Sequence, residues 1–281
     1  LILFLRERRR WSADIEDKIM IVASNGIQIH VEEQGDHGPT IVFLHYWGGS
    51  ARTWRHVMAR LAQNHRTIAT SHRGWGRSDA PASGYALADL AADALGVIEA
   101  LDLQRYVLVG HSMGGKVAQL IASRRPQGLA GLVLVAPSPP TPLALPPVAR
   151  DMMAGAYFSR ESVAQTIDAV LTGTTLGPLD REMVIEDSLS GAPEAKRAWP
   201  TATSLEDISE VVGQIDVPVL VVSGENDHVD TPETLERELM PRIPQATLHL
   251  LPKVGHLLPL EAPEDLAGLI ADFTASLDNR V

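Results

Sequence analysis

The chain has 281 residues, 24 Lys and Arg against 35 Asp and Glu, a formal charge of −11 and no cysteine. Lack of cysteine excludes disulfide scaffolds, thiolate nucleophiles and Cys-ligated zinc, and it fits a reducing, cytoplasmic compartment. The acidic balance argues against a nucleic-acid partner, which needs clustered Lys and Arg. A chain of this length buries roughly three quarters of its unfolded surface, so it needs no metal or disulfide to fold.

The first five residues are apolar and are followed by Arg6, Arg8, Arg9 and Arg10. This run is too short to span a membrane, and its charge order is the reverse of a secretory signal. Residues 1–18 therefore read as an N-terminal extension, mobile or a start-site artefact. The functional alternative is a basic arm touching a membrane; the reading carried forward has no membrane partner.

From Lys18 onward, short apolar runs alternate with amphipathic stretches. Residues 20–23 and 27–31 should pair across the turn at Asn25-Gly26. Residues 40–44, 66–70, 106–110 and 132–135 are almost continuously apolar, as strands buried on both faces of a parallel sheet are. Helical stretches lie between them at 52–63, 87–101 and 114–123. The pattern predicts an α/β fold, with an antiparallel start and then a mostly parallel, doubly wound sheet.

A proline-rich exit, Pro137-Ser138-Pro139-Pro140-Thr141-Pro142, ends this alternation. Helix-sized segments without a clear strand follow as far as about Leu205. Strands return at 218–223 and 247–251, with helices at 235–240 and 263–277. The predicted division is a core of 19–137 and 206–281, interrupted by a helical cap at 138–205.

The strongest local signal is Gly110-His111-Ser112-Met113-Gly114, set between a buried strand and a helix. A sharp strand-to-helix turn needs small residues two before and two after the serine. The helix that follows aims its first N–H groups at the same point, favouring developing negative charge. A serine nucleophile also needs a base and an acid that orients it. Among 10 histidines, His256 follows the last strand, at the end of a parallel sheet where ligands collect. His30 and His249 fall in strand patterns, His37 in a turn, and His56 and His65 beside a helix. The acid is expected in Ser223-Gly224-Glu225-Asn226-Asp227-His228; Asp227 reaches farther than Glu225, and Asp230 is a second choice. Ser112, Asp227, His256 is the chain order of the α/β-hydrolase triad.

On these residues the chain resembles the α/β-hydrolase fold superfamily, in its branch of small capped serine esterases, lactonases and cofactor-free perhydrolases. Matching motifs are His45-Tyr46-Trp47-Gly48-Gly49, Arg73-Gly74-Trp75-Gly76-Arg77-Ser78-Asp79, the serine elbow, Gly224-Glu225-Asn226-Asp227 and Gly255-His256. The resemblance implies an oxyanion hole made by the N–H groups of Trp47 and Met113, with 73–78 as a structural turn. Two departures stand out: Tyr46 occupies a position usually held by Gly, and Ser71-His72 replaces Asp and an apolar residue. His72 is either at the pocket or a solvated loop histidine. Ser112 at the elbow excludes the relatives that attack with Asp.

No metal-ligand spacing or phosphate-binding glycine loop occurs, so neither a metal nor a cofactor is expected. In the cap, Leu143, Leu145, Met152, Met153, Tyr157, Phe158, Leu171, Leu176 and Trp199 read mostly as cap core. Arg150, Arg160 and Arg181 are either carboxylate binders or exposed helix-face arginines. The expected activity is hydrolysis of a small or medium carboxylic ester or lactone by water, through an acyl-serine. The alternatives are a cofactor-free perhydrolase, a C–C bond hydrolase, or a small-ligand receptor that keeps the triad.

Overall fold

Asn25 and Gly26 take positive φ angles of 48° and 80°, the left-handed pair that a type I′ hairpin requires. They join β2 (Lys18–Ser24) to β3 (Ile27–Gln34) in antiparallel register, Met20 opposite Val31. The computed structural model describes residues 2–5 and 18–278. Within it β4 (Thr40–Leu44), β5 (Arg66–Thr70), β6 (Tyr106–His111), β7 (Leu129–Val135), β8 (Val219–Gly224) and β9 (Ala246–Leu251) run parallel.

A strand absent from the sequence reading also forms. Residues Ile2–Leu5 make β1, antiparallel to β2, with Ile2 opposite Val22. Part of the segment read as an extension thus belongs to the sheet. An isolated four-residue run has too little periodicity to announce a strand, and only its partner defines it. The arginines behind the basic-arm alternative lie outside the described residues.

The sheet order is β1-β2-β3-β5-β4-β6-β7-β8-β9. After β5 the chain crosses back over β4 to lay down β6, so the order reverses between β4 and β6. Loops leaving the carboxyl ends of these two strands therefore diverge and leave a crevice, where ligands bind in open α/β sheets. The continuous apolar runs arise because alternate residues face two cores. Val42 and Leu44 enter one, with Leu108 and Leu132; Ile41 and Phe43 enter the other, with Val107 and Val109.

Helices α2 (Leu87–Ala100) and α3 (Met113–Ser123) cover the first face. On the second, α1 (Arg55–Leu61) packs against α10 (Pro263–Asp278). Between β7 and β8 the described residues contain no strand, only α4 (Pro147–Gly155), α5 (Arg160–Thr166), α6 (Pro178–Ser190), α7 (Pro193–Thr201) and short turns. Beyond β8 lie α8 (Pro232–Glu238) and the four-residue α9 (Leu258–Glu261). Among the described residues, no helix is long and apolar enough to cross a membrane.

Candidate active site

Ser112 sits between β6 and α3 with φ 53° and ψ −114°, a strained conformation that costs a non-glycine residue ~1–3 kcal/mol. The flanking glycines make this turn possible. A Cβ on Gly110 would lie 2.4 Å from the Gly114 carbonyl oxygen, and one on Gly114 would lie 2.6 Å from the carbonyls of Leu44 and His45. Close approach of three backbone segments, and not flexibility, therefore fixes the Gly-x-Ser-x-Gly pattern. Ser112 is buried, and its hydroxyl makes no hydrogen bond among the described residues.

The sheet brings His256 and Asp227 to the same end. His256 Nδ1 lies 2.8 Å from Asp227 Oδ2. Because the carboxylate only accepts, Nδ1 carries the proton and Nε2 presents a lone pair. The other oxygen, Asp227 Oδ1, accepts from the N–H groups of Val229 and Asp230 at 2.8 and 3.2 Å. Burial pulls the His256 pKa down, but the charge and hydrogen bond of Asp227, with Asp230 and Glu261 behind them, raise it above the usual value. His111 backs this loop, with Nε2 donating to the His256 carbonyl at 2.8 Å and its ring 5.2 Å from the imidazole.

Of the three acidic candidates, Glu225 is exposed. Asp230 is buried, with Oδ1 unpartnered. Burial, together with repulsion from Asp227, pushes its carboxyl up to about 8 against the pull of His256 and Lys116. Only Asp227 bonds the imidazole.

The loop after β4 supplies the second wall. His45 Nδ1 donates to the Tyr46 carbonyl at 2.6 Å, and the Gly49 N–H reaches the same oxygen at 3.1 Å. That carbonyl and the Trp47 N–H belong to one planar, trans peptide, so holding the oxygen aims the N–H the opposite way. His45 Nε2 in turn accepts from the His72 N–H at 2.9 Å, which fixes the tautomer. Burial drives the His45 pKa well below the usual value, leaving the ring neutral. The Trp47 N–H has no protein acceptor among the described residues. Met113 opens α3, so its N–H lacks an intrahelical acceptor.

His72 is buried rather than solvated, with its ring 4.6 Å from that of His45; its backbone supports His45. The residue that replaces the usual Gly does not distort this loop, because the positive φ falls on Gly48 (103°). Instead Tyr46 packs its ring 5.1 Å from His111 and directs its hydroxyl to Ser188 of α6. The hydroxyl thus faces the inserted helices. Tyr46→Phe is expected to leave kcat and the affinity of a boronic-acid transition-state mimic within about twofold, at a stability cost of ~1 kcal/mol. A joint fall in both kinetic readouts at unchanged stability would mean that the hydroxyl serves the reaction.

Inserted helices close over this loop. Tyr157 donates from its hydroxyl to the Trp47 carbonyl at 3.1 Å and stacks on the Trp47 ring at 4.1 Å. Ser188 donates to the Gly48 carbonyl at 3.0 Å, and Ser50 donates to Asp187 at 2.8 Å. Beside Met113, a small cavity is lined by Arg73, Trp75, Tyr85 and Trp199. Arg73 is not free to bind an anion there, because Nε and Nη2 each reach Asp93 at 2.6 Å and Nη1 reaches the Gly84 carbonyl. This buried pair secures the 73–78 turn, and losing either partner costs ~3–5 kcal/mol.

Other readings of the insertion divide. Tyr157, Leu171, Leu176 and Trp199 are buried as expected, whereas Met152 and Phe158 are 71% and 56% exposed. Arg160 and Arg181 pair with Glu182 and Asp168 on the surface, and Arg150 bonds the carbonyls of Leu143 and Pro200. None is left to bind a substrate carboxylate. Among the described residues, no group of three or more His, Asp or Glu is placed to hold a metal. Glu261, which sequence reasoning missed, binds the backbone on either side of His256. Its only sequence signal is a carboxylate five residues after a loop histidine.

A serine at a strand–helix elbow, on a mostly parallel sheet interrupted by helices, defines a class of protein. Residues 39–263 match the profile of the alpha/beta hydrolase fold, and the chain belongs to that family. It is 33% identical over 228 residues to a non-heme chloroperoxidase of Streptomyces lividans, covering 74% of this chain and 82% of the relative. It is 27% identical over 266 residues to a 2-hydroxy-6-oxononadienedioate/2-hydroxy-6-oxononatrienedioate hydrolase of Paraburkholderia xenovorans, covering 89% and 91%. Among solved structures it resembles Est816, an N-acyl homoserine lactone degrading enzyme, at TM-score 0.80 and 28% identity, over 90% and 99% of the two chains.

Proposed function

We propose that the protein hydrolyses a small or medium carboxylic ester or lactone, with Ser112 as nucleophile, His256 as general base and Asp227 as its orienting acid. One observation carries this reading: the 2.8 Å bond from His256 Nδ1 to Asp227, which leaves Nε2 as the available acceptor. Ser112 Oγ attacks the carbonyl carbon while its proton passes to Nε2. The N–H groups of Trp47 and Met113 stabilise the oxyanion, and backbone donors of this kind need little reorganisation. Collapse expels the alcohol, which takes the proton from Nε2, and leaves acyl-Ser112. Water then gives a proton to His256 and attacks the acyl carbon; collapse expels Ser112 Oγ, which takes that proton back from Nε2, and the carboxylic acid is released.

In this reading residues 19–137 and 206–281 are the catalytic core and 138–205 a cap. The stack of Tyr157 on Trp47 and the small cavity beside Met113 favour a compact acyl group. Similarity to a non-heme chloroperoxidase supports a second outcome on the same acyl-serine, in which hydrogen peroxide replaces water and yields a peracid. A panel of p-nitrophenyl esters and lactones of graded acyl length, with and without peroxide, tests both. Many turnovers are expected, with the highest kcat/KM at short acyl chains. A stoichiometric burst without further turnover would instead identify a receptor.

A further inference from the structure

Glu261 ends α9, and its carboxylate collects donors from two segments more than eighty residues apart. Oε2 accepts from the N–H groups of Gly173 and Thr174 at 2.8 Å each, and from the Thr174 hydroxyl at 3.0 Å. Oε1 accepts from the Leu257 N–H at 3.1 Å, and the Gly255 N–H lies 3.2 and 3.1 Å from Oε1 and Oε2. The residues on either side of His256 thus donate to the same side chain as the loop that leaves the turn Ile167–Leu171. Two more bonds reinforce the seam: the His256 and Leu257 N–H groups reach the Leu171 carbonyl at 2.9 and 3.1 Å. Packing there is tight, since a Cβ on Gly255 would lie 2.2 Å from the Gly173 nitrogen.

Hydrogen bonds from N–H groups to a charged carboxylate are shorter and stronger than neutral ones. The turn Ile167–Leu171 is a π-type turn, an irregularity that recurs at functional sites. We propose that Glu261 is a positioning residue, which clamps the His256 loop to residues 171–174 of the insertion so that the imidazole is held where Ser112 can use it. This rests on the reading of His256 as the base. One consequence is mechanical: displacing 171–174 displaces His256. A second is electrostatic, because the Glu261 charge adds to that of Asp227 in raising the basicity of His256, opposite the neutral His111.

The test compares wild type, Glu261→Gln, Glu261→Asp and His256→Asn in p-nitrophenyl acetate hydrolysis across pH. Glutamine offers one acceptor oxygen and turns its NH₂ toward one of the two donor sets. For Glu261→Gln, kcat is expected to fall ~10-fold or more with KM changed far less, since small misplacement of a catalytic group is costly. Its acid limb in kcat/KM should also move to lower pH. Aspartate keeps the charge but cannot span both segments, so Glu261→Asp should lower kcat and leave the limb near that of wild type. Inactive His256→Asn beside a Glu261→Gln variant with wild-type kcat and an unmoved limb would overturn the clamp alone. If Glu261→Gln does not fold, wild-type kcat in Glu261→Asp would do the same. Full activity in His256→Asn would remove the base assignment, and the clamp with it.

Discussion

Ser112→Ala is expected to lower ester turnover by roughly 10³–10⁶-fold while KM stays within a few-fold. The nucleophile is lost, but the proposed hole at Trp47 and Met113 and the surrounding walls remain. Those contacts alone sustain some acceleration over water, so a small residual rate is part of the expectation. The same position gives a second, independent result. At φ 53° and ψ −114°, alanine keeps the Cβ penalty, whereas glycine relieves it. Ser112→Gly should therefore be as inactive as Ser112→Ala yet more stable by about 1 kcal/mol, visible as a higher Tm. Such a pair would show that strain is retained at the elbow for function. Retention of near-normal kcat in folded Ser112→Ala would exclude the acyl-serine route.

The elbow was legible in the sequence because its pattern is local, although one of its constraints, the press of β4 on Gly114, comes from far along the chain. Gly110 is pressed by Gly114 within the same five residues, so the spacing of the two glycines around the serine can be read without knowing what else packs there. The hydrophobic runs of β4, β6, β7 and β8 were legible for a different reason, as burial on both faces leaves few polar residues to interrupt them. Residues whose meaning depends on a distant partner were harder to read. Asp227 and Asp230 are three apart in one loop, and only the placement of His256 decides between them. Tyr46, a departure from the family's usual Gly, is explained only by the fold, where Gly48 takes the positive φ and the Tyr46 ring packs against His111. β1 exists only through its pairing with β2. Glu261 is the extreme case, since its donors are backbone groups of residues 173–174 and 255–257, and no side-chain pattern marks them.

Asp227→Asn should lower kcat by ~10⁴-fold with little change in KM, because the substitution acts on the tautomer of His256 rather than on substrate contacts. Both oxygens of Asp227 are acceptors: Oδ1 for the N–H groups of Val229 and Asp230, and Oδ2 for His256 Nδ1. Asparagine has one acceptor oxygen to offer. Turning its NH₂ toward two fixed backbone N–H groups is the worse clash, so the NH₂ faces Nδ1. The ring must then accept at Nδ1 and carry its proton on Nε2, the atom proposed to receive the serine proton. Removing the negative charge also withdraws the chief influence that raises the His256 pKa. In wild type, kcat/KM should rise with pH as His256 deprotonates through that raised pKa; in Asp227→Asn the acid limb should sit at lower pH, above a much lower plateau. Asp230→Asn is the matched control. Its carboxyl, pushed up to about 8 by burial and by Asp227, is largely protonated at neutral pH, and a carboxamide resembles that neutral acid in shape. It should keep kcat within a few-fold at pH 7. The reverse outcome, an active Asp227→Asn and a crippled Asp230→Asn, would transfer the orienting role to Asp230.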